Sequence, residues 1–152
     1  MSTAANPATS TDISRSVTVR ASAERAFAVL ADLAGWPAVL PHIGGSEVLY
    51  ADGYQEEFTL RTSGGRVRGI LYRRPPHELE FVALEPPRGL ARMTGRFTLT
   101  EGEDGTTTVT AERGFAPARG GEAGSERLAE ELGRRLTEDL ESFRSAIENA
   151  GP

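Results

Sequence analysis

The 152-residue chain carries 17 Lys and Arg against 22 Asp and Glu, a formal net charge of -5, with 38% hydrophobic and 26% charged residues. That length suits one soluble domain with a single core, and the acidic balance argues against nucleic acid, whose phosphates demand a basic face. The chain has no cysteine and only two histidines, His42 and His77, so disulfides and thiolate metal sites are excluded and no histidine-built metal centre is expected.

The opening MSTAANPATSTD has neither a basic start nor an apolar stretch, so it does not read as a secretory signal. No apolar run approaches the roughly 20 residues of a membrane span, and a cytoplasmic protein is expected. Residues 1–11 read as a disordered tail and residues 12–149 as a single domain. ISRSVTVRA alternates around Ile13, Val17 and Val19, which predicts a strand. SAERAFAVLADLAGW then sets Ala23, Ala26, Phe27, Leu30 and Leu33 at helical spacing, with Ser22 as N-cap. Pro37 and Pro41 restrict the next segment to a short turn.

After Gly44-Gly45 come SEVLYA, YQEEFTLRT, GRVRGILYRR, HELEFVALE and GLARMTGRFTLTE, joined by DG, SGG, PP and PP turns; TTTVTAERGFA comes after GEDG. Strands in series without helices between them imply an antiparallel meander. Residues 116–124, APARGGEAG, read as a loop. From Ser125 the period changes: Leu128, Leu132, Leu136, Leu140, Phe143 and Ile147 form the apolar stripe of a helix about twenty-five residues long. Only the concave face of the sheet is large enough to cover that stripe. A sheet curled around one helix leaves space between them, so an internal ligand cavity is expected.

Alternation phases the strands. Tyr54, Phe58 and Leu60 carry Glu56 inward; Ile70 and Tyr72 carry Arg68 and Arg74. Met93, Gly95, Phe97 and Leu99 face inward with Arg92 and Arg96 outside, and Val109, Ala111 and Phe115 share a face with Arg113. An inward arginine beside a glutamate reads equally as an ion pair and as a donor fork for carbonyl or enolate oxygens. Tyr72 and Tyr54 read as phenolic proton donors or as packing with a wet hydroxyl. His42, in the Pro-rich hinge, is a neutral-pH acid/base group at the pocket mouth or an exposed loop histidine; His77 reads as surface. Trp36 plugs the edge of the core and makes the hinge segment a lid. A Gly-rich phosphate loop, a metal cluster and a nucleophile elbow are all missing from the sequence, which disfavours phosphotransferases, metalloenzymes and serine hydrolases.

The element order, with VTVRASAERAFAVLADLAGWPAVLPHIGGSEVL, resembles the START-like helix-grip superfamily (SRPBCC) of polyketide cyclases and lipid-binding proteins over residues 12–149. Within it, GRV (Gly65 to Val67) followed seven residues on by Arg74, ARM with Met93, and GFAP with Phe115 look like aromatase/cyclases of bacterial aromatic polyketide pathways that supply antibiotics. The resemblance implies an α+β helix-grip (START/Bet v1-like) fold, a seven-stranded antiparallel sheet curled around a long C-terminal helix. It implies a polyketide cyclase/aromatase that needs no cofactor or metal and directs regiospecific aldol cyclisation and dehydration of a poly-β-ketone. Arg74, Tyr72 and His42 are then the catalytic candidates; Trp36, Ile43, Tyr54, Glu56 and Phe58, with Ile70, Met93, Phe97, Arg113 and Leu132, are the substrate-binding ones. The aromatase/cyclases have a tyrosine in the hinge where this chain has Ile43, which makes His42 the substitute. ADLAGWPAVLPHIGGSEVL is also similar to coenzyme-Q-binding and lipid-binding members, so a non-catalytic carrier of an apolar molecule is the rival reading. An acyl carrier protein is a further candidate partner, with Arg66, Arg68 and Arg73 as its docking residues.

Overall fold

The computed structural model describes residues 11–118 and 122–150. The chain runs β1 (Thr11–Val19), α1 (Ala23–Leu30), a 3-10 turn (Leu33–Gly35) and α2 (Trp36–Val39). Next come β2 (Ile43–Ala51), β3 (Gln55–Thr62), β4 (Gly65–Arg74), β5 (Glu78–Glu85), β6 (Leu90–Glu101), β7 (Thr107–Pro117) and α3 (Glu122–Asn149). Residues 1–10 of the expected tail lie outside the described residues, and Thr11, its last residue, belongs to β1.

Ser22 caps α1 as its sequence predicts, its hydroxyl accepting from the Arg25 N–H at 3.2 Å. Ala23, Ala26, Phe27 and Leu30 are the buried stripe of that helix. Pro37 lies in the first turn of α2, where a missing N–H leaves no bond unmade. The helices carry the chain across the sheet, so β1 pairs with β7 and the strand order is β1-β7-β6-β5-β4-β3-β2, antiparallel throughout. β2 starts earlier than SEVLYA suggests, taking in Gly44-Gly45 with a register shift between Ile43 and Gly45. A Cβ at Gly45 would lie 2.4 Å from Arg61 Nη2, so the glycine lets Arg61 cross the edge strand.

The expected 116–124 loop is shorter than its composition suggests. Pairing of Leu90 with Pro117 extends β7, and α3 begins at Glu122, with residues 119–121 outside the described residues. On α3, Leu136, Leu140, Phe143 and Ile147 are buried against the concave face. Phe143 meets Trp36 and Phe97 edge-on, with ring centroids 5.7 and 5.9 Å apart. Each such side chain contributes roughly 1.5–3 kcal/mol by burial alone.

Strand β4 is phased opposite to the sequence reading. Val67, Gly69 and Leu71 are the buried set, so Arg73 shares the inner face while Arg68, Ile70, Tyr72 and Arg74 lie on the outer face. Gly69 explains the slip. A Cβ there would sit 2.7 Å from Val82 O and 3.1 Å from Phe58 Cζ, so the inner face needs a glycine where alternation looks for an apolar side chain. Tyr54 corrects in the same way: it precedes β3, is exposed, and packs against Tyr72 at 6.1 Å between ring centroids.

Candidate functional site

Between α3 and the concave face lies a cavity of about 360 Å³. One side is the hinge, with Leu33, Trp36, Leu40, His42 and Ile43. The sheet contributes Phe58, Leu60, Leu71, Phe81, Met93 and Phe115, and α3 contributes Leu128, Leu132, Leu136 and Phe143. The exposed lining residues Ser63, Arg88 and Glu131 mark the mouth, between the hairpin tips and the first half of α3. The lining is chiefly apolar, as a ligand site for a hydrophobic body requires.

Three polar side chains converge inside. His42 stands just after α2, where Leu40 N–H bonds to Trp36 O at 2.8 Å and Ile43 N–H to Leu40 O at 3.0 Å to hold the hinge. Its Nε2 lies 2.9 Å from Asp139 Oδ1. A neutral imidazole bonding a carboxylate through Nε2 must carry its proton there, which leaves Nδ1 as the lone-pair nitrogen. Nδ1 is buried and has no partner among the described residues.

Arg113 comes from β7 and lies over the rings of Phe81 and Phe97, 4.9 and 5.1 Å from their centroids. Burial lowers its pKa to about 10, while the charge of Asp139 opposes the shift. A Cβ at Gly95 would lie 2.2 Å from Phe81 and 2.8 Å from Arg113 Nη1, so this glycine makes the room in which ring and guanidinium stack. Asp139 thus serves both groups: it bonds His42 and acts electrostatically on Arg113. Trp36 is satisfied by donating from Nε1 to Leu30 O at 3.0 Å, which leaves the indole as wall.

Of the residues expected at the site, His42, Trp36, Ile43, Phe58, Met93, Arg113 and Leu132 line the cavity. Phe97 lies behind the wall, under Arg113 and against Phe143. Arg74, Tyr72, Tyr54 and Ile70 do not reach the cavity: Arg74 is exposed and pairs with Glu78 at 3.5 Å. Glu56 is buried and inward but sits outside the cavity, bound to Arg73, whose Nη2 also donates to Ala31 O at 2.9 Å. That pair clamps the end of α1 to the sheet. Arg73 is therefore committed to this clamp, and Arg68 is held between Glu57 at 2.6 Å and Glu85 at 2.7 Å, whereas Arg66, the third expected docking residue, is exposed.

Alternation and helical spacing did not single out Asp139. Its signal is nonetheless in the chain: it lies three residues after Leu136 and four before Phe143, a carboxylate on the apolar stripe of α3. Among the described residues no group of three or more His, Cys, Asp or Glu is placed to hold a metal, and no helix is long and apolar enough to cross a membrane.

The family model for polyketide cyclases/dehydrases and lipid transport matches residues 10–148. The chain belongs to this family. Within the START-like superfamily it is similar to the Zhui aromatase/cyclase of Streptomyces sp. R1128, at 19% identity and a TM-score of 0.82, covering 93% of this chain and 98% of that one. It also matches the di-domain aromatase/cyclase StfQ of the steffimycin pathway, at 18% identity and TM-score 0.81, over 96% of this chain but 54% of that one. A START superfamily protein from Mycobacterium smegmatis matches at 18% identity and TM-score 0.64, over 91% and 95%. No curated protein matches the chain. At these identities the likeness establishes the helix-grip fold, and the chemistry has to be argued from the site.

Proposed function

We propose that this polyketide cyclase family member binds a poly-β-ketone in the cavity and directs its aldol cyclisation and dehydration. The observation that carries the reading is the convergence of His42, Asp139 and Arg113 inside a chiefly apolar cavity. Catalysis starts with orientation: a flexible polyketone folds in many ways, and walls that admit one fold supply much of the rate. The methylene between two ketones is acidic enough for an imidazole, and His42 Nδ1 takes its proton. Arg113 holds the enolate oxygen as charge develops, in a chiefly apolar setting where water screens it less than in bulk. The new C–C bond forms as the enolate carbon attacks a second carbonyl, and the resulting alkoxide recovers the proton from His42. His42 Nδ1 then takes a second α-proton, and the imidazolium so formed returns that proton to the β-hydroxyl as its C–O bond breaks, releasing water and leaving the C=C bond. Asp139 holds the imidazole in one tautomer and stabilises it when charged.

The test is product analysis by mass and chromatography with a reconstituted minimal polyketide synthase. The wild-type chain is expected to channel shunt products into one cyclised, dehydrated compound. His42→Gln should reduce that product about 100-fold, and Arg113→Met by a comparable factor. Arg74→Ala should remain within about twofold, since Arg74 lies on the outer face. An unchanged profile on adding wild-type protein, or full activity in His42→Gln, overturns the reading. The chiefly apolar wall favours a second reading, a carrier that holds an apolar molecule without proton chemistry. Native mass spectrometry finding an unreacted apolar ligand, with no cyclisation, would decide for it.

A further inference from the structure

The cavity's charge runs against that of the chain. The chain carries -5, yet three arginines, Arg88, Arg113 and Arg135, line the cavity against two carboxylates, Glu131 and Asp139. Asp139 is engaged by His42 and acts on Arg113, which accounts for the inner cluster. Arg88 and Arg135 stand apart from it, at the mouth.

Their supports are fixed. Arg88 lies in the β5–β6 turn, where its own N–H donates to Gly64 O at 3.2 Å and Leu90 N–H to Pro87 O at 3.1 Å. A Cβ on Gly64 would lie 3.9 Å from Pro87 Cβ, so the β3–β4 and β5–β6 hairpin tips meet as one rim. Arg135 lines the same cavity from α3, half-buried, two turns after Leu128 and three residues after Leu132 on the same side of the helix. Neither guanidinium forms an ion pair or side-chain hydrogen bond among the described residues. By contrast Arg68, Arg74, Arg96, Arg134 and Arg144 all reach a glutamate. Glu131, exposed on the turn before Arg135, is the opposing charge at this mouth.

We propose that the mouth selects ligands that end in an anion, with an apolar body inside the cavity and a carboxylate or phosphate group held between Arg88 and Arg135. A guanidinium offers several donors in a plane and suits either oxyanion. At a wet mouth each contact is modest and weakens with salt. The inference rests on the reading of the cavity as the ligand site, though not on cyclisation chemistry.

Displacement of the neutral dye N-phenyl-1-naphthylamine from the full chain tests it, with decan-1-ol, decanoate and decyl phosphate as competitors. At low salt the two anions should bind roughly tenfold more tightly than the alcohol, and 0.5 M sodium chloride, roughly a 4 Å screening length, should remove most of that preference. In Arg88→Gln/Arg135→Gln the preference should fall to about twofold or less while decan-1-ol binds as before. Glu131→Gln should widen it. Decanoate against decyl phosphate tells whether the mouth suits a carboxylate or a phosphate terminus. Equal affinity for alcohol and anions, or a preference that survives in the double variant, overturns the proposal. If anions are preferred yet no polyketone is cyclised, the cyclase reading falls and this one stands; cyclisation without anion preference gives the reverse.

Discussion

Arg113 shows how much a single residue can cost the fold. Its guanidinium is charged at neutral pH in both folded and unfolded chains, yet in the folded one it sits over two aromatic rings with its pKa drawn down to about 10. The unfolded chain therefore binds more protons above pH 10, and this contribution to stability rises with pH there; below pH 10 the cost is present in full. Arg113→Met should therefore stabilise the ligand-free protein at pH 7, by on the order of 2 kcal/mol, a gain checked by urea unfolding. A loss of stability instead would mean that the aromatic contacts outweigh desolvation. Arg113 is legible in the sequence because β7 alternates without interruption through Val109, Ala111 and Phe115. Arg74 is not, because β4 offers two competing apolar sets, and the buried one is broken by Gly69, whose role depends on the Phe58 ring from the neighbouring strand. No alternation rule within one strand contains that contact.

At the scale of elements, the end of α1 depends on a pair that spans two strands. Arg73 from β4 binds Glu56 from β3 and donates to Ala31 O, just past the last turn of α1. Arg73→Met leaves a buried carboxylate alone and should cost on the order of 2 kcal/mol, whereas adding Glu56→Leu should recover much of the loss. Thermal unfolding of the two single variants and the double variant checks it; additive losses would show that the pair does not act as a unit. The elements themselves are almost all legible in the sequence. The Ser22 cap, the proline-limited α2 and the stripe of α3 are local features, and local chemistry fixes them. The limits of the β7–α3 connection are not, because pairing with Leu90 extends β7 through a Pro-containing segment that by composition reads as loop.

For the whole molecule, the sheet-around-helix architecture is implied by element order, since an amphipathic α3 needs one large apolar partner. The internal cavity rests on the same argument. The constellation inside it does not, because His42 and Asp139 are 97 residues apart and meet only once the hinge lies against α3. That same closure places Trp36 on the cavity wall, edge-on to Phe143 and 7% exposed. It is the single tryptophan of the chain, so the protein contains its own optical probe, a lone indole at the binding site with no second tryptophan to dilute its signal. The ligand-free protein should emit at the short wavelengths of a shielded indole. A polyketone or dye entering the cavity should change intensity in a saturable titration, and the Kd it gives should account for the rise in Tm with ligand concentration. An emission unmoved by a ligand that raises Tm would put that ligand somewhere other than beside the hinge.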